Sequence, residues 1–190
     1  MSEYKQLGQY IQQIDIRNSN LKIQHLLGVS VEKRFIESIA NTIGTDFRPY
    51  KIVKRGQFAY GPVTSRNGDK ITIALLKEAD VCIISSSYSV FEITDTTKLL
   101  PEYLMLWFSR PEFDRYARYK SHGSVREIFD WDEMCRVELP VPDIKEQEKI
   151  VNTYNTITKR IQLKQKINEN LEKTALYLFE KTIAQKEKNG

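Results

Sequence analysis

Residues 143–190 constrain the fold more than any other stretch, because neither Gly nor Pro occurs between Asp143 and Gly190. Asp143-Ile144-Lys145-Glu146 opens this stretch directly after Pro140 and Pro142. There Asp143 can accept from the free N–H groups of a first helical turn while Glu146 reaches back, an Asp form of the capping box. A helix running on to Lys188 is about 65 Å long, too long to lie across one small domain. Its apolar positions advance in alternating four- and three-residue steps. They run through Ile150, Tyr154, Ile157 and Ile161, the polar Lys164 and Asn168, then Leu171, Ala175, Leu178 and Thr182. That is a coiled-coil seam with a polar centre, where the neighbours Leu163 and Ile167 allow the seam to shift. A seam predicts a partner helix, and the rest of the chain holds no helical pattern of matching length.

The preceding residues, 1–142, read as an α+β globular domain. Leu7, Tyr10, Ile11 and Ile14 fit one helical face within residues 4–16, broken by the turn formers of Arg17-Asn18-Ser19-Asn20. Leu26-Leu27-Gly28-Val29 reads as a buried segment ending in a turn, and residues 32–43 as a short helix closed by Gly44. From Tyr50 the period changes to two. Residues 50–60 read as strand, turn, strand. Asn67-Gly68 forms a hairpin signal between residues 58–64 and the alternating 71–75. Residues 80–85 and 88–93 add two strands, which makes the middle of the domain a small curved β-structure. Helical spacing returns at Pro101 and Pro111, each placed to start a helix. A polar loop at residues 120–126, a turn capped by Asp130, and a last strand at 137–141 lead into the long helix. The expected division is therefore a domain at 1–142 and a helix at 143–190.

Charge is segregated along the chain. Residues 48–77 hold seven basic side chains against Asp69 alone, residues 110–126 hold five against two, and residues 127–148 hold eight acidic against two basic. Such basic blocks with interleaved aromatics suit a polyanion surface, and the acidic block suits a face turned away from it, towards another protein. Candidate contacts lie in loops rich in Arg, Asn and Ser, because Arg suits guanine edges and phosphates while Asn reads adenine. They are Arg17, Asn18, Asn20, Arg66, Asn67, Lys120, Ser121, His122, Ser124 and Arg126, with Lys51, Lys54, Arg55, Lys70 and Tyr88 from the basic strand region. The competing reading assigns Asn18, Asn20 and Asn67 to turn geometry alone, and Tyr60, Tyr88, Tyr116 and Tyr119 to half-buried packing.

Catalytic chemistry finds little support. His25 and His122 are the only histidines, neither at metal-ligand spacing, and the eight glycines form no phosphate loop. Neither a cofactor nor a metal is expected. Cys82 and Cys135 lack a paired spacing, the N-terminus has no signal pattern, and no apolar run approaches membrane-spanning length. The expectation is a reduced, cytoplasmic protein without membrane contact.

Several stretches, in order, resemble the specificity (S) subunit of type I restriction–modification systems. They are Arg17-Asn18-Ser19-Asn20-Leu21 with Gly28-Val29, Gly56-Gln57-Phe58-Ala59-Tyr60 with Ser65-Arg66-Asn67-Gly68-Asp69, and Ser85-Ser86-Ser87-Tyr88-Ser89-Val90-Phe91. Leu100-Pro101-Glu102-Tyr103-Leu104 and Arg110-Pro111-Glu112-Phe113 follow. The last is Gly123-Ser124-Val125-Arg126, continued by Val137-Glu138-Leu139-Pro140-Val141-Pro142, Glu146-Gln147 and Ile150-Val151. The resemblance implies a target-recognition domain followed by a spacer helix. It also implies a non-catalytic role beside DNA adenine methyltransferase (M) subunits and ATP-dependent restriction (R) subunits. Members of that family usually carry two such halves, so one half implies a homodimer on double-stranded DNA. Its interface would be Ile150, Tyr154, Ile157, Ile161, Lys164, Asn168, Leu171, Ala175 and Leu178. A coiled-coil DNA-binding adaptor and a stand-alone nuclease or methyltransferase remain the alternatives.

Overall fold

A computed structural model describes residues 3–38, 44–65, 67–123 and 126–188. The chain divides into two compact units, Met1–Glu148 and Lys149–Gly190. The architecture is α+β, with a long C-terminal helix. Among the described residues no helix is long and apolar enough to cross a membrane.

The first unit begins with β1 (Tyr4–Gln6), a 3-10 turn (Leu7–Gln9) and β2 (Ile11–Ile14), followed by β3 (Leu27–Val29) and β4 (Phe35–Glu37). Next come β5 (Lys51–Lys54), β6 (Phe58–Tyr60), β7 (Ile73–Leu75), β8 (Val81–Ile84) and β9 (Ser89–Ile93). Helices α1 (Pro101–Phe108), α2 (Pro111–Lys120) and α3 (Trp131–Arg136) precede β10 (Glu138–Pro140) and α4 (Ile144–Lys188). The central sheet has the order β2-β9-β6-β7, all antiparallel, and three strand pairs surround it: β1 with β10, β3 with β4, β5 with β8.

Both faces of the central sheet are covered, and strand alternation decides what lies on each. On one face Phe58 and Phe91 stack at 4.8 Å, with Phe108 edge-on to both and Phe113 beyond it. On the other, the smaller Ala59, Ala74 and Val90 pack with Leu27, Val29, Val53, Cys82 and Ile84. Large rings on the helix side and small side chains on the strand side let two layers approach one thin sheet.

Local signals set the helices where the sequence predicts them. Pro101 and Pro111 stand in the first turns of α1 and α2, and Asp130 caps α3 by accepting from Glu133 N at 2.8 Å. Asp143 Oδ1 likewise accepts from Glu146 N at 3.1 Å.

Three expectations about the elements are corrected. Residues 4–16 are two strands around a 3-10 turn rather than a helix. Leu7 is buried under the N–H···O bond to Val137, and a Cβ on Gly8 would lie 2.9 Å from the Cys135 Cβ. Within 32–43, residues Phe35–Glu37 form a strand on β3 across a tight turn at Ser30–Arg34, in which Lys33 adopts φ 62°. Residues 39–43 lie outside the described residues. Strands β6 and β7 do pair, but Asn67-Gly68 sits inside a long loop, residues 61–72, instead of a two-residue turn. There Asn67 N–H reaches the Thr64 carbonyl and Lys70 N–H reaches that of Asn67. Residues 50–60 are the strand, turn and strand expected, with β5 and β6 in different sheets. Gly56, at φ 85°, turns the chain from one to the other. The tyrosines also divide: Tyr60 is fully buried, Tyr88 and Tyr116 are half-buried, and Tyr119 is exposed.

Candidate nucleic-acid interface

Strand register decides which loops share an edge. Ile14 pairs with Val90 and Tyr60 with Ser89, so the chain leaving β2, loop 61–72 and the turn before β9 all emerge at the same end of the central sheet. A bridge between Arg17 and Lys51, and the pairing of Lys51 with Ile84, bring the start of β5 and residues 85–88 to that end. Lys54 and Arg55 therefore stand at the opposite end.

Loop 61–72 and residues 121–128 form one lobe. Val63 and His122 both bridge to Ile128, and Thr64 N–H donates to the Glu127 carbonyl at 3.0 Å. His122 and Ile128 exchange both backbone bonds, closing a small loop in which Gly123 adopts φ 130°. A methyl group at Gly123 would collide with the Arg126 carbonyl oxygen. A residue with a side chain does not fit this turn, which accounts for a glycine at the head of Gly123-Ser124-Val125-Arg126.

Every candidate contact except Arg66 and Ser124 has a place. Asn20, Lys70, His122 and Arg126 are exposed on this edge, Arg17, Asn67 and Tyr88 are half-buried there, and Lys120, also half-buried, lines the cleft beside Tyr4 and Trp107. Arg66 and Ser124 lie outside the described residues. Asn18 is fully buried, and its carboxamide clamps its own loop. Nδ2 donates to the Ile23 carbonyl at 2.8 Å and Oδ1 accepts from Ile23 N at 3.2 Å. The Lys51 ammonium is buried 3.6 Å from Asp15 Oδ1. Ser121 Oγ donates to the Ala117 carbonyl at 2.7 Å and accepts from Thr64 Oγ1 at 2.9 Å. The Arg55 guanidinium is held by Asp80 at 2.9 Å and by the Lys77 carbonyl. Asn18, Lys51 and Ser121 thus shape the surface, and Lys54 and Arg55 are remote from it.

The guanidinium of Arg17 donates to Asp15 at 2.9 Å and to the Pro49 carbonyl at 2.7 Å. That bond, with the Lys51 charge behind it, holds the Asp15 carboxyl below its ordinary 3.8. Asn20 Oδ1 accepts from Lys22 N at 3.1 Å, a local turn on an exposed residue. Sequence reasoning missed Arg118, which bonds the Gly68 carbonyl and approaches Glu127 at 4.0 Å. Its place in the basic block of residues 110–126 was the available signal.

The first unit also has a cleft of about 530 Å³, in which Arg110 stacks on Trp107 at 4.2 Å beside Tyr4 and Tyr116. Among the described residues no group of three His, Cys, Asp or Glu side chains could hold a metal ion.

Comparison with known proteins places the chain in a family. The type I restriction modification DNA specificity domain family matches residues 51–173. The chain is 26% identical over 131 residues to the type I restriction enzyme HindI specificity subunit of Haemophilus influenzae, covering 68% of this chain and 28% of that one. It is 35% identical over 81 residues to the MjaIX specificity subunit of Methanocaldococcus jannaschii, covering 43% and 19% respectively. The chain thus spans less than a third of the length of either relative. In fold it resembles the HsdS subunit from Thermoanaerobacter tengcongensis, with TM-score 0.61 at 17% identity, over 84% of this chain and 43% of that one. It also resembles a type I restriction-modification S subunit from M. genitalium, with TM-score 0.55 at 10% identity, over 85% and 40%. With a match spanning well over half its length, the chain belongs to the type I restriction modification DNA specificity domain family.

Proposed function

We propose that the chain is the DNA-reading component of a type I restriction–modification complex and carries out no catalysis itself. Residues 1–142 serve as the target-recognition domain and residues 143–190 as the spacer and dimerisation helix. The observation that carries the reading is the family match, because residues 51–173 take in loop 61–72, residues 121–128 and most of α4. The loop edge supports it chemically. Arg17, Asn20, Lys70, His122 and Arg126 offer cations for phosphates and forked donors for base edges within one surface, with Lys120 at the end of α2 nearby in sequence. Asn67 and Tyr88 border the same surface.

The oligomeric part of the proposal rests on α4. Ile150, Tyr154, Ile157, Ile161, Leu171 and Leu178 are exposed, from 37% to 62%, along a single stripe. An apolar stripe of this length on a helix is stable in water when a second helix covers it. A second copy, antiparallel, places Lys164 and Asn168 near the two-fold axis, where polar residues fix register at some loss of stability. Ala175 continues the seam. The pair presents two identical recognition domains, so the site is a bipartite inverted repeat. M subunits then methylate adenine and R subunits translocate and cleave. The acidic residues 127–148 provide a docking face that phosphates would avoid.

Mapping methylated adenines in cells that carry this gene with its neighbours tests the proposal. A palindromic two-part motif that disappears on deletion of the gene is expected. An asymmetric motif would replace the homodimer with pairing to a different half, and an unchanged methylation pattern would overturn the reading. Methyl transfer or cleavage by the isolated chain would favour the stand-alone enzyme instead.

A further inference from the structure

Two side chains of α2 and that of Ser121, the residue just past its end, hold loop 61–72 at its end, middle and start. Asp114 Oδ1 accepts from the Ile71 N–H at 3.1 Å, Arg118 donates to the Gly68 carbonyl, and Ser121 Oγ accepts from Thr64 Oγ1 at 2.9 Å. The four-residue spacing of Asp114 and Arg118 aligns them along one face of α2, and Ser121 follows where the chain leaves the helix in an extended conformation. The loop runs antiparallel to the helix, so each rung meets the loop three or four residues earlier than the last. Ile71 and Thr64, which end the braced segment, are buried, whereas Ser65, Asp69 and Lys70 between them are exposed.

The first rung is itself fixed from below. Lys33 reaches Asp114 Oδ1 at 2.7 Å and the Phe108 carbonyl, with its ammonium 5.5 Å from the Phe113 ring centre. Both side chains of this ion pair are nearly buried, 8% and 12% exposed. A buried carboxylate so held has little freedom to rotate, and the Ile71 amide is fixed with it. The last rung is similarly backed, since Ser121 Oγ donates a hydrogen bond to the Ala117 carbonyl at 2.7 Å.

We propose that Asp114, Arg118 and Ser121, with Lys33 behind Asp114, form a brace that sets the conformation of loop 61–72 and through it the base preference of the chain. They act as positioning residues that do not themselves touch DNA. The proposal rests on the DNA-reading function above. It adds that exchanging exposed loop residues changes the target, while exchanging brace residues blurs it.

The test uses the full chain and a randomised duplex pool, from which the unaltered protein selects its preferred sequence. Affinities for that sequence and for scrambled duplex are then compared in Arg118→Ala, Asp114→Ala, Ser121→Ala and Ser121→Thr. A lost brace bond is expected to lower the specific-to-scrambled ratio by about tenfold, with scrambled binding and its salt dependence unchanged. Ser121→Thr, which keeps the hydroxyl, restores the ratio. A uniform loss of affinity in Arg118→Ala, with a salt slope shallower by about one, would make Arg118 a phosphate contact and overturn the brace. Amide hydrogen exchange without DNA gives an independent readout. Asp114→Ala and the milder Lys33→Met should speed exchange at Ile71 while leaving the β6 amides protected, and unchanged exchange at Ile71 in both overturns the brace alone. Failure of the unaltered chain to enrich any sequence overturns the DNA reading itself.

Discussion

At Gly123 the backbone conformation and the Arg126 carbonyl both exclude a side chain, so Gly123→Ala has to distort the loop that carries His122 and Arg126. A cost of about 1–3 kcal/mol is expected from that strain, read as a lower thermal midpoint. DNA affinity should fall further than the midpoint alone accounts for. The two cysteines make a second residue-level contrast. Cys82 is fully buried among aliphatic side chains, and burial pushes its thiol up to about 12. Cys135 is half-buried, and burial raises its thiol as well, with the Asp132 charge adding to the effect. Because the thiolate is the reactive form, native protein at pH 8 should label slowly at Cys135 and not at Cys82. Unfolding should expose both. Fast labelling of Cys82 in the native state, read by peptide mass analysis, would contradict its placement in the core. At this scale the sequence supplied residue types without their use. Asn18, Lys51 and Ser121 look like surface readers in the primary structure. They become internal clamps because Ile23, Asp15, Thr64 and Ala117, four of their partners, are brought to them by the fold.

Gln147 shows how an element is anchored. Its buried carboxamide accepts from Leu100 N at 2.9 Å and donates to the carbonyls of Lys98 at 2.9 Å and Pro142 at 2.8 Å, fixing the first turn of α4 beside the start of α1. Gln147→Ala removes the partner of Leu100 N and of the Lys98 and Pro142 carbonyls, and a loss of about 1–3 kcal/mol in unfolding free energy is expected by chemical denaturation. A loss within experimental scatter of zero would show that water replaces the amide. Elements whose signals are local were legible: proline starts α1 and α2, and aspartate caps α3 and precedes α4, all within one turn of the residues they govern. Elements whose partners are distant were not. Residues 4–16 carry apolar spacing that fits a helix, but β1 pairs with β10 and β2 with β9, strands far along the chain. Those pairings, and the contact of Gly8 with Cys135, outweigh a weak helical pattern.

For the whole molecule, the seam of α4 makes oligomeric state the measurable consequence. Sedimentation at micromolar concentration should give a dimer, and Leu171→Lys, which puts a charge into the seam, should give monomers of unchanged far-ultraviolet ellipticity in the first unit's strands. A monomeric unaltered chain would remove the second copy from the proposal. Binding to duplex DNA should weaken steeply with salt, because cations at the loop edge displace condensed counterions; salt-insensitive binding would leave only a coiled-coil adaptor. The long helix, its Asp143 cap, its apolar stripe and the small β-structure before it were settled by the sequence alone. Their physics is short-ranged: absence of Gly and Pro, residue period and the chemistry of the first turn. Which loops share an edge, and that α2 braces loop 61–72, were decided only by tertiary structure. Strand register between residues some 75 positions apart places those loops, and register is fixed by which side chains fill the two faces of the central sheet. That long-range packing condition has no signature in any single stretch of the chain.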